Sequence, residues 1–149
     1  MHKEHCAEGG KNLIEAKVNW IANMQFVGKA DSGHAVVMDT RAEMGGDNSA
    51  STPMELLLIA LGGCTGMDIV SILRKMEVEF DSIEIGTKGE RVEEHPRVYE
   101  KIWLMYKIKG KTISQDKVKR AIELSQEKYC SLLAMLKPKV EIDYIVEIK

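Results

Sequence analysis

The sequence has no excess of either charge and few aromatic residues. Its 149 residues include 21 lysines and arginines against 23 aspartates and glutamates, with two Trp, four Tyr and two Phe. No basic patch or aromatic RNA-binding motif is present, which argues against a nucleic-acid partner. Nine methionines indicate an aliphatic and adaptable core. The length fits one domain, so we expect a single domain over residues 1–149.

The beginning of the chain lacks the apolar stretch of a signal peptide. Residues 1–16 also lack a strong hydrophobic period, so we expect a loosely ordered tail. His2, His5 and Cys6 could bind a metal between them, but a frayed terminus is the favoured interpretation. The three cysteines, Cys6, Cys64 and Cys130, are an odd number, which argues against a secreted disulfide framework. These features predict a cytoplasmic protein in which a persistent cysteine pair serves catalysis or redox sensing.

One helix is predicted to organise the fold. Thr52 is a suitable N-cap, Pro53 suits the first helical position, and Glu55 completes a capping box. Residues 54–61 are apolar except for Glu55, so this half has no polar face and is expected to be buried on all sides. The run is shorter than the roughly 20 residues of a membrane span, and charged residues follow it. We therefore expect a core helix of a soluble protein, with no membrane partner.

Three glycines surround a cysteine in this helix. Gly62, Gly63 and Gly66 each weaken a helix by roughly 0.5–1 kcal/mol relative to alanine, which indicates a close approach by a helix, a partner chain or a ligand. One small domain cannot easily cover a helix that is apolar all round. Two copies packed through the glycine faces could do so, which predicts a homodimer. Cys64 itself is either a buried cysteine at a helix crossing or a reactive thiol beside an open space.

The remaining pattern predicts an α+β fold. Alternating residues indicate short strands within 17–38, a hairpin formed by 80–92 and 98–109, and a last strand at 140–148. Ser114 is a plausible N-cap for a second helix, and residues 131–137 form a short third helix before Pro138. A polar loop at 39–51 leads into the central helix. The expected order is βββ-α-ββ-αα-β.

Two motifs resemble those of the OsmC/Ohr family, and more narrowly its YhfA-like branch. The first is Thr52-Pro53-Met54-Glu55, an apolar run, then Gly-Gly-Cys at 62–64 and Asp-Ile-Val-Ser-Ile-Leu at 68–73. The second is a helix that ends at Tyr129-Cys130. The resemblance extends from about Lys17 to the C-terminus. It implies an OsmC-like fold, in which antiparallel sheets wrap around a central buried helix in an intertwined homodimer.

The two cysteines of these motifs suggest peroxide chemistry. If the fold brings Cys64 and Cys130 together, a Cys64 thiolate could attack the O–O bond of an organic hydroperoxide and become a sulfenic acid. Cys130 would then form a disulfide with Cys64, and an external thiol, for which a lipoyl dithiol is one candidate, would reduce it. This thiol-dependent peroxidase needs no cofactor. We expect no metal either, since two cysteines supply half of a tetrahedral zinc site and no histidine is spaced to complete it.

The activating pair of the family is not evident in the sequence. In the peroxidase members, the glutamate directly after the motif proline holds an arginine from the N-terminal strands. Here Met54 follows Pro53, and Glu55 is the next acidic residue and the candidate for that role beside its cap. No arginine occurs between residues 17 and 39, so Lys29, His34 and Arg41 are the candidate cations. Two alternatives therefore stay open: a non-enzymatic dimeric binding or redox-sensing module, and purely structural cysteines in a dimer core.

Overall fold

The computed structural model describes residues 13–149. Residues 1–12, which include most of the predicted tail with His2, His5 and Cys6, lie outside this part. The chain divides into two compact units, one that ends at Pro53 and one that begins at Met54. The expectation of a single domain stays a prediction.

The first unit contains the predicted three short strands. They are β1 (Ala16–Ala22), β2 (Gln25–Ala30) and β3 (Ala35–Met38), which form an antiparallel sheet in that order. β1 begins inside the segment predicted as tail. The backbone N–H of Glu15, directly before it, donates to a carboxylate oxygen of Asp31 at 3.0 Å. The ordered chain therefore starts slightly earlier than the hydrophobic pattern indicated.

A buried carboxylate organises the loop after β3. Asp39 is almost completely buried and accepts hydrogen bonds from the backbone N–H groups of Thr40, Asp47 and Ser49 and from the Ser49 hydroxyl, at 2.7–3.2 Å. The hydrogen bonds from Ser49 are the main reason that the pKa of Asp39 falls to about 2. The predicted polar connector is thus a loop held by an ionised side chain, with a 3₁₀ turn at Ala42–Met44.

The second unit contains the helices and a second sheet. The predicted central helix is α1 (Pro53–Lys75), followed by β4 (Ser82–Arg91), β5 (Tyr99–Lys109), α2 (Gln115–Leu124), α3 (Ser131–Leu136) and β6 (Glu141–Ile148). β4 pairs antiparallel with β5, but β6 pairs parallel with β5. The second sheet is therefore mixed, not purely antiparallel as predicted. The two helices between β5 and β6 supply the long crossover that a parallel pair needs. The α+β class is confirmed.

The core of this unit lies between one face of α1 and the sheet. Leu61, Ile69 and Leu73 on α1 are fully buried in one cluster with apolar side chains of β5 and α2. The opposite face of α1 is open in a single chain, where Ile59 is 59% exposed and Met67 is 75% exposed. Burial on all sides was expected only with a second copy of the chain, so it stays a prediction. A helix that is apolar all round but covered on one side needs a further partner.

By length and composition alone, α1 is also apolar enough to cross a membrane, a test that the core helix of a soluble protein passes equally well. Three charged residues, Asp68, Arg74 and Lys75, lie in its second half. The absence of a membrane partner stays a prediction.

Candidate active site

The fold brings two of the predicted site residues into contact. The Sγ atoms of Cys64 on α1 and Cys130 before α3 lie 3.2 Å apart, although the residues are 66 positions apart in sequence. Both are free thiols, Cys130 is 3% exposed, and Cys64 is half-buried. A disulfide needs the sulfurs about 2.05 Å apart, so oxidation of the pair to a disulfide requires an approach of only about 1 Å.

Local backbone geometry positions Cys130. After α2 the helix widens into a single π-helical turn at Ser125–Tyr129, and the Cys130 N–H donates to the Ser125 carbonyl at 2.9 Å. Cys130 then takes an extended conformation with φ −72° and ψ 105°, which ends one helix and starts α3. π-Helical turns occur frequently at functional sites because they redirect side chains. Here the turn directs the Cys130 thiol towards α1.

The two sulfurs have different environments. Burial is the main reason that the pKa of Cys130 rises from its ordinary value of 9.0 to about 11, and the backbone N–H groups of Leu133 and Leu132 offset part of this rise. Cys130 therefore keeps its proton at neutral pH and donates its S–H to the Cys64 sulfur. Cys64 is the acceptor of the pair, which makes it the sulfur suited to react first.

A directed chain of buried hydroxyl groups ends at an acidic residue beside the thiols. Ser125 Oγ donates to Asp68 Oδ2 at 2.9 Å, and Thr65 Oγ1 lies 3.0 Å from both Ser125 Oγ and Tyr106 Oη. Each hydroxyl has one proton, and the Ser125 proton is used in the hydrogen bond to Asp68. Thr65 must therefore donate to Ser125, and Tyr106 must donate to Thr65. Burial also raises the pKa of Tyr106, so its hydroxyl remains a donor.

Asp68 joins this chain to the cysteines. One ligand-type atom from each of Cys64, Asp68 and Cys130 lies within 4.8 Å of the others. Asp68 follows Cys64 by four residues on α1, so the two side chains lie on the same side of the helix. The three hydroxyl groups all donate in the direction of the Asp68 carboxylate, and this series of hydrogen bonds holds the carboxylate next to both sulfurs.

A cavity of about 260 Å³ opens beside Asp68. Ile72, Met76, Leu124 and Tyr129 give it a mainly apolar wall, and Asp68, Ser71 and Lys75 supply its polar groups. A larger groove of about 810 Å³ runs along α1 past Gly62, Gly63 and Gly66. Neither cysteine lines the groove or the smaller cavity, but Asp68 lines the smaller one. Because it begins at a residue that neighbours both thiols, the smaller cavity is the better candidate for a substrate site.

The structure does not bring every predicted site residue to the thiols. Glu55 is exposed in the first turn of α1, nine residues before Cys64, which is about 13 Å along the helix axis. Its carboxylate and Arg91 both act on the hydroxyl of Tyr99, whose pKa rises mainly through burial. A catalytic role for Glu55 stays a prediction.

A catalytic role for the three candidate cations also stays a prediction. Lys29, His34 and Arg41 belong to the first unit, and their approach to Cys64 stays a prediction. Within the second unit, Lys75 lines the cavity beside Asp68. Sequence reasoning named neither Asp68 nor Lys75 as a site residue. Their spacing contained the signal, since positions four and eleven residues after Cys64 share its side of a helix.

Comparisons with known proteins give a consistent result. The family profile described as OsmC-like protein matches residues 46–145. Protein YhfA from Escherichia coli K12 is 38% identical over 135 residues, which are 91% of this chain and 98% of that protein. The crystal structure of a protein from Aquifex aeolicus VF5 is 34% identical, with a TM-score of 0.78, over 93% of this chain and 98% of that one.

A more distant structure shows the fold alone. An organic hydroperoxide resistance protein OsmC from Legionella pneumophila has a TM-score of 0.71 at 13% identity, over 93% of this chain and 99% of its own.

Proposed function

The chain belongs to the OsmC-like protein family, and from this membership we propose that it is a thiol-dependent peroxidase that reduces organic hydroperoxides. The observation that carries the proposal is the contact of Cys64 with Cys130 at 3.2 Å, next to a mainly apolar cavity. A peroxide with an organic group finds apolar surface there, and the two thiols supply the two electrons that its O–O bond requires.

The first step uses Cys64. Its thiolate attacks the terminal oxygen of the hydroperoxide, the O–O bond breaks, and the alkoxide takes up a proton and leaves as an alcohol. The product on the protein is a Cys64 sulfenic acid. Cys64 rather than Cys130 is suited to this attack, because it accepts the hydrogen bond of the pair and is the less buried of the two.

The second step uses Cys130. Its sulfur attacks the sulfenic sulfur, an S–S bond forms, and the hydroxyl leaves as water after it takes up a proton. Because the pKa of Cys130 is about 11, this step needs a proton acceptor, and the Asp68 carboxylate lies within 4.8 Å. An external dithiol then reduces the disulfide, with a lipoyl dithiol as one candidate. The sum is one hydroperoxide and two thiols converted to an alcohol, water and a disulfide.

We further propose that the protein works as a homodimer in the cytoplasm. The exposed apolar face of α1 supports the dimer, because Ile59 and Met67 would otherwise stand in water. The reducing cytoplasm suits a catalyst whose resting state has two free thiols.

The proposal is tested by peroxide consumption with a dithiol reductant. A bulky organic hydroperoxide should be consumed faster than hydrogen peroxide, because the cavity wall is mainly apolar. Cys64→Ser should abolish consumption, and Cys130→Ser should allow about one turnover before Cys64 overoxidises. Cys6→Ser is the matched control and should change neither rate. Equal rates for Cys64→Ser and the unsubstituted protein would refute the proposal.

One observation favours a second candidate, a redox-sensing module without sustained turnover. Burial and the raised pKa of Cys130 oppose rapid disulfide exchange with an external reductant. In that case each chain consumes one peroxide and forms the Cys64–Cys130 disulfide once. Excess dithiol then does not reduce this disulfide within the time of the assay. The same experiment separates the two functions through the number of turnovers.

A further inference from the structure

The cluster of Cys64, Asp68 and Cys130 has the composition of a metal site. One donor atom from each residue lies within 4.8 Å of the other two, and two of the three donors are thiols. Thiolates favour thiophilic cations such as Zn²⁺, and three protein ligands with an open fourth position are typical of reactive zinc sites. The sequence alone showed only two ligands, because the third is an aspartate on the same helix.

The sulfur separation is close to what a shared cation requires. Tetrahedral zinc with Zn–S distances of about 2.3 Å holds two sulfurs about 3.7 Å apart. The observed 3.2 Å lies between that value and a disulfide, so an opening of about 0.5 Å would admit the ion. Cys130 follows the π-helical turn and Cys64 lies on a separate helix, so the shift does not require a change within either element.

The surroundings of Asp68 match those of a ligating carboxylate. Ligating carboxylates are usually fixed by further hydrogen bonds, and Ser125 donates to Asp68 Oδ2 from the end of the buried hydroxyl chain. Within residues 54–149, no lysine or arginine forms an ion pair with Asp68. With both thiols ionised, three negative charges would lie together, and a divalent cation would balance two of them.

We infer that the reduced thiols of Cys64 and Cys130 and the carboxylate of Asp68 form a binding site for one Zn²⁺ per chain. Asp68 also lines the 260 Å³ cavity, so water or a small ligand from the cavity could complete the coordination of a bound ion. Binding exchanges two thiol protons for the metal. The zinc site uses the same thiols as the proposed peroxidase, but zinc binding does not depend on the peroxide reaction.

Peroxide and zinc then compete for the same sulfurs. A hydroperoxide that oxidises the zinc-bound pair takes up two protons and yields the alcohol, water, the Cys64–Cys130 disulfide and free Zn²⁺. Both electrons come from the thiolates, so the metal keeps its charge. The loaded protein should therefore react more slowly than the metal-free one and release one zinc per disulfide.

The test is a zinc titration of the full chain, reduced and free of oxygen, against a chromophoric chelator. All variants contain His2→Ala, His5→Ala and Cys6→Ser, which remove the other candidate ligands at the N-terminus. We expect one Zn²⁺ per chain, release of about two protons, and charge-transfer absorption of thiolate to metal when Co²⁺ replaces zinc.

Single substitutions assign the ligands. Cys64→Ser and Cys130→Ser should each abolish stoichiometric binding and the charge-transfer band. Asp68→Asn should weaken binding about 10–100-fold and keep the band, while Asp81→Asn, an exposed carboxylate elsewhere in the same unit, should leave affinity unchanged. Circular dichroism checks that each variant is folded.

Two results would overturn the inference: no stoichiometric zinc on the reduced background protein, or affinity that Asp68→Asn leaves unchanged. Peroxide reactivity is measured separately on metal-free protein. If the protein binds zinc but peroxide does not oxidise its thiols, the zinc site is supported and the proposed peroxidase activity is refuted. If peroxide oxidises the thiols but zinc does not bind, the peroxidase is supported and the zinc site is refuted.

Discussion

At the scale of residues, the two thiols of the site differ in burial and in their roles in the hydrogen bond between them. Cys130 is buried, keeps its proton and donates to Cys64, and Asp68 beside them lines the cavity. The sequence predicted both cysteines, because each stands in a recognisable motif. It also predicted that Cys64 reacts first and that Cys130 forms the disulfide. The burial of Cys130 and the direction of the S–H bond were not predictable, since they depend on how the elements pack together.

The raised pKa of Cys130 predicts a dependence of stability on pH. Between pH 9 and about 11 the unfolded chain loses this thiol proton first, so stability falls as the pH rises through this window. The loss should total roughly 2–3 kcal/mol. Cys130→Ser should remove it, which urea unfolding of both reduced proteins at pH 8 and pH 11 would measure. The same loss in both proteins would show that Cys130 is not responsible.

The missed residues have a common physical cause. Asp68, Thr65 and Ser125 are polar residues on two separate segments, and a hydrophobic pattern does not show which polar side chains meet. The structure buries Thr65 and Ser125 completely, which is tolerable because each has hydrogen-bond partners. Only the tertiary arrangement of α1, β5 and the π-helical turn shows that these groups meet.

At the scale of elements, the three glycines of α1 differ in their surroundings. A Cβ on Gly66 would lie 2.8 Å from Ile85 Cδ1, and one on Gly62 would lie 3.3 Å from Thr87 Cγ2, so both permit close packing of α1 on β4. A Cβ on Gly63 would have no atom within 4 Å. The sequence predicted a close approach but could not separate contacts within the chain from contacts with a partner.

This difference predicts two kinds of destabilisation. Gly66→Leu should overpack the α1–β4 contact and lower the free energy of unfolding by about 1–3 kcal/mol at any protein concentration. Gly63→Leu should act on the proposed partner contact, so its effect should grow as the protein is diluted. Thermal midpoints measured over a hundredfold range of concentration separate them, and a concentration-independent effect of Gly63→Leu would contradict this assignment.

At the scale of the whole molecule, the sequence predicted the α+β order well, because capping residues and alternation are local signals. The parallel pairing of β6 with β5 was not predictable in this way, since it depends on where the α2–α3 crossover returns the chain. The open face of α1 agrees with the expectation that one chain cannot cover this helix, and it is the feature that supports a homodimer.

The dimer can be tested on that face. Met67→Glu places a charge in the exposed stripe of α1 and should convert the dimer to monomer or unfolded chain in sedimentation at micromolar concentration. Met135→Glu is the matched control, because Met135 is similarly exposed, at 66%, on α3. A native monomer in the unsubstituted protein, or equal effects of the two substitutions, would contradict the proposal.

The account depends above all on the reaction of the two facing thiols. The most direct measurement is peptide mapping by mass spectrometry after reduced, metal-free protein reacts with one equivalent of a bulky organic hydroperoxide. The account predicts the loss of two thiols and a single Cys64–Cys130 cross-link, with Cys6 unchanged. Cys64 and Cys130 that both remain reduced, under conditions that oxidise free cysteine, would contradict it.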